Sequence, residues 1–287
     1  MRKFKEYIIE KLILASGLAS IFFVIVIFLF LLKEGLAVFK IVTPANFLFG
    51  KNWYPISEPP QLGIFPLILG SLLVTLGAAI ISVPIGIACA VYIAEVAPVR
   101  TKEILKASIE LLAAIPSVVL GFIGMVTLVP WVKSIFKLPT GLTALSGSIM
   151  LAFMAMPTIV SIAEDALYSV PRSHKEGALA LGATHWQTIY RVLLPAASSG
   201  ILAAVMLGIG RVIGETMAVM MITGNAALMP HSFLQPVRTL TATIAAEMGE
   251  AVVGSEHYFA LFAIGIVLFV ISFAINITAD LFLHRKR

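Results

Sequence analysis

The sequence predicts an all-α membrane protein with six transmembrane helices. Of its 287 residues, 60% are hydrophobic and 12% charged, and the mean hydropathy is +1.02, far from the balance of a soluble domain. Apolar runs recur at or above the ~20 residues that a helix needs to cross a hydrocarbon core. Lys and Arg collect almost entirely in the segments between those runs.

The first run, residues 12–32 (LILASGLASIFFVIVIFLFLL), carries no charge and as a helix extends about 31 Å, enough to span. A cleaved signal peptide would have an apolar core of about 7–15 residues ending at small residues. Ala19 and Ser20 are small, yet apolar and aromatic residues continue to Leu32, so a retained anchor is expected. Further spans are expected at 64–94, 107–130, 142–166, 197–222 and 259–283. The second is too long to cross untilted, and Pro84 is expected to kink it, as Pro116 and Pro157 are in the third and fourth.

Positive residues near span ends are retained on the cytoplasmic side. With the N-terminus inside, thirteen of the 20 Lys and Arg residues fall on that side and six outside, and Arg211 lies within a span. Both termini are therefore expected in the cytoplasm, in a single permease domain over residues 1–287. Two outer segments are long. Residues 33–61 carry Phe39, Phe47, Phe49, Trp53 and Tyr54, either as interfacial anchors or as a docking surface for an external partner. Residues 223–258 include TLTATIAAEMGEAVVG, which suits a short amphipathic or re-entrant helix lining protein or water.

Several function classes are set aside. The net charge of +5 and pI near 9.4 come from loop residues rather than one basic face, so no nucleic acid is expected. Cys89 is the only cysteine, which excludes an intrachain disulfide and a thiol metal cluster. The five histidines lack metal-ligand spacing and read as solvated loop residues. Gly50-Lys51 resembles the end of a phosphate-binding loop, but Asn52 stands where Ser or Thr is needed and Ala45 where the first Gly belongs. Gly208, Gly210 and Gly214 miss dinucleotide spacing; Gly210 and Gly214 instead offer a small-residue face for a neighbouring helix. No cofactor is expected, and no nucleophile stands near a base or metal at usable spacing.

The segment 171–195 interrupts the apolar pattern. Residues 172–181 read as a short helix, Gly182 ends it, and Thr184 can cap a second helix. That helix would share a face of Trp186, Ile189 and Leu193 and stop before Pro195. Two short helices at an angle would form a knob standing off the membrane, longer than an ordinary connector of about 2–8 residues.

The fifth run holds Arg211 and Glu215 four residues apart, predicting one helical face. Each such charge near the bilayer centre costs about 3 kcal/mol on insertion scales, so the pair should face protein or water. It is expected to be the core of a substrate pathway in which the guanidinium fork receives an oxyanion and the carboxylate holds it or competes with the anion; a structural ion pair is the alternative. Glu110 is another pathway candidate or simply pairs with Lys106, and Glu164 and Asp165, unfavourable at a helix C-terminus, are expected near cations such as Arg172 or Lys175.

Glu176, Gly182, Leu194 and Pro195 match the EAA loop of ABC importer permeases (E-A-A-x3-G-x9-I-x-L-P), with Gly177 and Val192 replacing Ala and Ile. The chain also resembles the phosphate-specific branch, the PstC-like permeases, through FLFGKNWYP (47–55), AAIPSVVLGFIG (113–124), SIAEDALYSVPRSHKEGALALGATHWQTI (161–189), GRVIGETMAVMMITGN (210–225) and RTLTATIAAEMGEA (238–251). This resemblance implies a type I ABC importer permease fold and a coupling role for Glu176, Gly182, Leu194 and Pro195. It implies a PstA-like second permease, a PstB-like ATPase dimer and a PstS-like external phosphate-binding protein as partners within the lipid bilayer. It also implies ATP hydrolysis in a separate subunit and alternating access as the mechanism. Permeases for molybdate or sulfate share the loop, and a proton-coupled carrier using Glu215 is the alternative of a different class.

Overall fold

The computed structural model describes residues 2–284. In chain order they form α1 (Arg2–Gly35), a 3-10 turn (Leu36–Lys40), α2 (Pro44–Phe49), β1 (Trp53–Tyr54), β2 (Gln61–Leu62) and α3 (Phe65–Val91). A π-type turn (Tyr92–Val96), α4 (Val99–Ala114), α5 (Ser117–Phe136), α6 (Ala144–Tyr168), α7 (Arg172–Ala180) and α8 (His185–Thr188) follow. A second π-type turn (Ile189–Leu193), α9 (Leu194–Ala196), α10 (Ser198–Gly214), α11 (Met217–Ile222), α12 (Leu240–Glu247) and α13 (Glu256–His284) complete the chain.

Among the described residues, Ile9–Lys40, Phe65–Val96, Ser117–Phe136, Ala144–Tyr168 and Glu256–Thr278 are each long and apolar enough to cross a bilayer. His185–Ala196 and Ser198–Gly214 reach that apolar length only as a pair bent by 71°, a broken span or a re-entrant turn, which would make six crossings if counted as one span. Alternating buried and exposed positions are not the rule in α6, where most residues from Ala144 to Leu167 are buried. It is the axis around which α3, α5, α10 and α11 pack, with Val74, Ala78, Leu120, Ile159, Val212 and Ile222 in one apolar core. Small residues make this possible: a Cβ on Gly208 of α10 would meet Ile159 Cγ1 at 2.5 Å, so only glycine admits this approach to α6. Helix α1 packs on α13 through stacked Phe28 and Phe269, 4.6 Å apart.

The expected third span is the first correction. Residues 107–114 belong to α4, and the crossing helix begins at Ser117. Pro116 disfavours helical geometry in the residue before it, and Ile115 takes φ −69°, ψ 128°. The expected kink at Pro116 is therefore a break, whereas Pro84 and Pro157 lie inside continuous helices. Helix α4 has no buried residue and carries its charges to α6: Lys102 Nζ and Lys106 Nζ lie 3.0 and 2.7 Å from the two oxygens of buried Glu164. The hydrogen bond to Glu164 holds the Lys106 ammonium above the ordinary lysine value. Glu164 thus meets cations, but from α4 rather than Arg172 or Lys175, and Lys106 turns to Glu164 instead of Glu110.

Removing both ammonium groups strands a carboxylate that is 2% exposed. Lys102→Ala combined with Lys106→Ala is expected to destabilise the chain by about 3 kcal/mol or more. A lowered thermal unfolding midpoint in detergent is the expected reading, and an unchanged midpoint rejects the role of this triad.

The aromatic residues of 33–61 divide. Phe47 and Trp53 are fully buried, with Val38, Ile64, Leu67, Leu240 and Leu261 around them, so neither is an interfacial anchor. Phe49 and Tyr54 remain exposed. Aromatic composition alone cannot separate these fates, because a tryptophan suits an interface and a core equally. Within 223–258, α12 has a buried first turn, Leu240–Thr243. It packs against α3, α11 and α13, as a re-entrant segment must.

Candidate functional site

Besides the Glu164 cluster, three sites stand out: the knob at 172–196, the region of Arg211 and Glu215, and a network around Glu247; α3 separates the first of these from the third. Its start adjoins β2, while the turn after its last residue holds Glu95, which accepts from Lys175 Nζ of α7 at 2.5 Å. Residues 36–62 and α7–α8 therefore occupy opposite ends of a helix about 40 Å long.

The knob at 172–196 forms as the sequence predicts, with two differences. Gly182 adopts φ +84°, a left-handed geometry that favours glycine, and its N–H donates to the Leu179 carbonyl at 2.9 Å. Thr184 and Gln187 then make a reciprocal capping box that starts α8. Helical structure continues through Pro195, because proline is tolerated where the preceding π-type turn already disrupts the ordinary ladder; the break comes at Ala197. Trp186 is 69% exposed rather than sharing the buried face of Ile189 and Leu193. Those two root the knob among Ala90, Ile93, Val160, Ala163 and Leu167. At the tip, Leu181 is 91% exposed and Gly182 and Glu176 are exposed. Leu194 is half-buried and Pro195 exposed. A groove of about 890 Å³ lies between Pro84 and Ala88 of α3, Tyr92 of the turn that follows it, and Trp186 and Tyr190 of the knob.

Arg211 and Glu215 do not share a helical face, which corrects the i, i+4 reading. Helix α10 ends at Gly214, and Glu215 is extended at φ −70°, ψ 131°. Its carboxylate is drawn to the next helix, where Oε1 accepts from the Ala218 N–H at 3.3 Å; a carboxylate is favourable at a helix start. No ion pair joins Arg211 to Glu215 among the described residues. Arg211 is exposed, and its Nη1 lies 3.4 Å from Thr158 Oγ1 of α6. Gly210 and Gly214 beside it have nothing within 4 Å of a Cβ position, so the close approach expected of that pair is made by Gly208 instead. The result is an elbow: a cation and a hydroxyl on one side, a capping carboxylate on the other.

The third cluster was not legible locally. Glu247 accepts from Trp53 Nε1 at 3.2 and 3.0 Å on its two oxygens, pairs through Oε1 with Arg238 Nη1, and lies 2.9 Å from His257 Nε2 through Oε2. His257 is therefore held in a network and is not a solvated loop histidine. Arg238 Nε also donates to the Asn225 carbonyl at 3.0 Å. Trp53 and Glu247 are 194 positions apart, and no spacing rule reaches that far.

Comparison with known proteins gives a consistent picture. A family model described as "Binding-protein-dependent transport system inner membrane component" matches residues 82–287. A probable ABC transporter permease protein, YqgH, of Bacillus subtilis (strain 168) is 43% identical over 266 residues, covering 92% of this chain and 86% of that protein. The phosphate transport system permease protein PstC of Mesorhizobium japonicum is 35% identical over 259 residues, covering 84% of this chain and 78% of that one. Among solved structures, a bacterial alginate ABC transporter in complex with an alginate-bound periplasmic protein aligns with a TM-score of 0.66 at 18% identity, over 96% of this chain and 94% of its own. An inward-facing MetNI methionine ABC transporter aligns with a TM-score of 0.63 at 19% identity, over 81% and 100%.

Proposed function

The chain belongs to the family of binding-protein-dependent transport system inner membrane components, and from that premise we propose that it is the transmembrane permease subunit of an ATP-driven importer of inorganic phosphate. Its PstC relatives supply the substrate class. The observation that carries the coupling part of this reading is the knob at 172–196, with its root buried and its tip exposed.

The chain acts as one permease domain beside a PstA-like second permease, with a PstB-like ATPase dimer below and a PstS-like phosphate-binding protein above. Both termini lie in the cytoplasm, as the excess of positive residues at that side favours. ATP binding closes the ATPase dimer. The knob, tied to α3 and α6 through Ile189, Leu193 and the Lys175–Glu95 pair, carries that movement into the bundle, and the cavity turns outward. Hydrolysis in the separate subunit resets it. The equilibrium shifts only because the ATPase touches the knob differently in its two states.

Arg211 is the cation of the pathway. Its planar donors suit a tetrahedral oxyanion, and Thr158 adds a hydroxyl beside them. Glu215 shapes the pathway as the cap of α11, which keeps the elbow at a fixed geometry.

The test is reconstitution of the complete four-subunit transporter with loaded binding protein. Phosphate uptake is expected with ATP at the cytoplasmic face and no ion gradient. Excess sulfate or molybdate should leave it unchanged. Uptake that follows a proton gradient without ATP contradicts this function, and efficient sulfate or molybdate uptake contradicts the substrate.

A further inference from the structure

The elbow at Glu215 and the network at Glu247 lie at the two ends of one short helix. At the start of α12, Thr241 Oγ1 donates to the Glu215 carbonyl at 2.9 Å, and the Leu240 N–H donates to Ser71 Oγ of α3 at 2.9 Å. This turn is buried from Leu240 through Thr243. At the other end, both oxygens of Glu247 are occupied by donors from three separate segments: Trp53, Arg238 and His257. A carboxylate at a helix C-terminus opposes the helix dipole, so those donors, and not the helix, hold Glu247 in place. The six helical steps from Thr241 to Glu247 span about 9 Å along the axis. The network borders a cavity of about 590 Å³ that also meets Tyr54, Ser57 and Glu250, so it stands where the opposite end from the knob opens.

We propose that Glu247 is a positioning residue for transport: its network with Trp53, Arg238 and His257 fixes α12 as a strut that sets, through Thr241, the elbow carrying Arg211. The proposal rests on the reading of Arg211 as a pathway residue. A rigid helix clamped at both ends transmits a displacement that two separate contacts would not.

A double-mutant cycle in the complete reconstituted transporter tests it. Glu247→Gln removes the charge while keeping the side-chain size, and Thr241→Val removes the hydroxyl bond to Glu215. Each single change is expected to lower the maximal ATP-driven phosphate uptake rate about tenfold, with co-purification of the subunits intact. The half-saturating concentration of loaded binding protein should move less than about twofold, as for a step after docking. Sites about 9 Å apart without a shared partner normally combine independently. The strut instead predicts a double variant no slower than the slower single one. Losses that multiply, or singles with wild-type rates, overturn the proposal. If Glu247→Gln does not assemble, Trp53→Phe removes one donor while keeping an aromatic ring in the core, and the same comparison with Thr241→Val applies. Absence of ATP-driven phosphate uptake in the unmodified transporter would instead overturn the function proposed above.

Discussion

Arg211→Ala is expected to abolish all but a small remainder of phosphate uptake and to leave the complex assembled. The residue is exposed on α10 and touches Thr158 of α6, with nothing packed over Gly210 and Gly214 beside it. Truncation therefore opens no core cavity and breaks no buried ion pair among the described residues. On the proposed function, the expected loss falls on the substrate. A phosphate leaving water needs charged donors in exchange for its hydration, and a charge-assisted contact contributes about 2–3 kcal/mol, which corresponds to a fall in uptake of about 30- to 150-fold. Arg211→Lys keeps the charge without the planar fork and should recover only part of the rate. Radiolabelled phosphate uptake, read beside co-purification of the partner subunits, separates these outcomes. Wild-type uptake by Arg211→Ala would remove it from the pathway.

Gly182→Pro is expected to separate ATP hydrolysis from transport, or to release the ATPase altogether. Proline holds φ near −65°, whereas position 182 requires φ +84°. The change also deletes the N–H that donates to the Leu179 carbonyl. Nothing lies within 4 Å of a Cβ at this position, so the damage is conformational and not steric: the second helix of the knob is re-aimed while its buried root is untouched. Gly182→Ala fits the space and carries only the left-handed penalty of about 1–2 kcal/mol, so coupling should fall partly. The measurement is ATPase stimulation by loaded binding protein in the assembled transporter. Normal stimulation together with normal uptake for Gly182→Pro would contradict the coupling role.

Much of the architecture was legible because hydropathy and turn chemistry act locally. The expected spans at 12–32, 64–94, 142–166 and 259–283 coincide closely with crossing helices, and Gly182 and Thr184 shape the knob in the manner their chemistry dictates. Two breaks were hidden for a physical reason. AAIPSVVL and GRVIGETM stay apolar enough to read as continuous crossings, yet Pro116 forces Ile115 out of helical geometry, and Glu215 leaves α10 to cap α11. Periodicity records composition along a line; it does not record which helix end a carboxylate will prefer.

The long-range pairs were beyond reach for a related reason. Glu164 lies in the C-terminal part of α6, where Arg172 and Lys175 are the nearest cations in sequence, but the return of α4 brings Lys102 and Lys106 closer in space. Lys175 is already committed to Glu95. Trp53, Arg238, Glu247 and His257 are drawn from three segments that meet only after α3, α12 and α13 have packed. Their identities alone suggested an aromatic anchor and scattered loop charges.

The side on which the knob lies, and what covers it, can be read at one position. Leu181→Cys, in a Cys89→Ser background, places a lone thiol at a site 91% exposed in the chain. In sealed right-side-out vesicles it should resist a membrane-impermeant thiol reagent, become reactive when the membrane is opened, and be protected again by the bound ATPase. Labelling from outside in intact vesicles, regardless of the ATPase, would contradict the account.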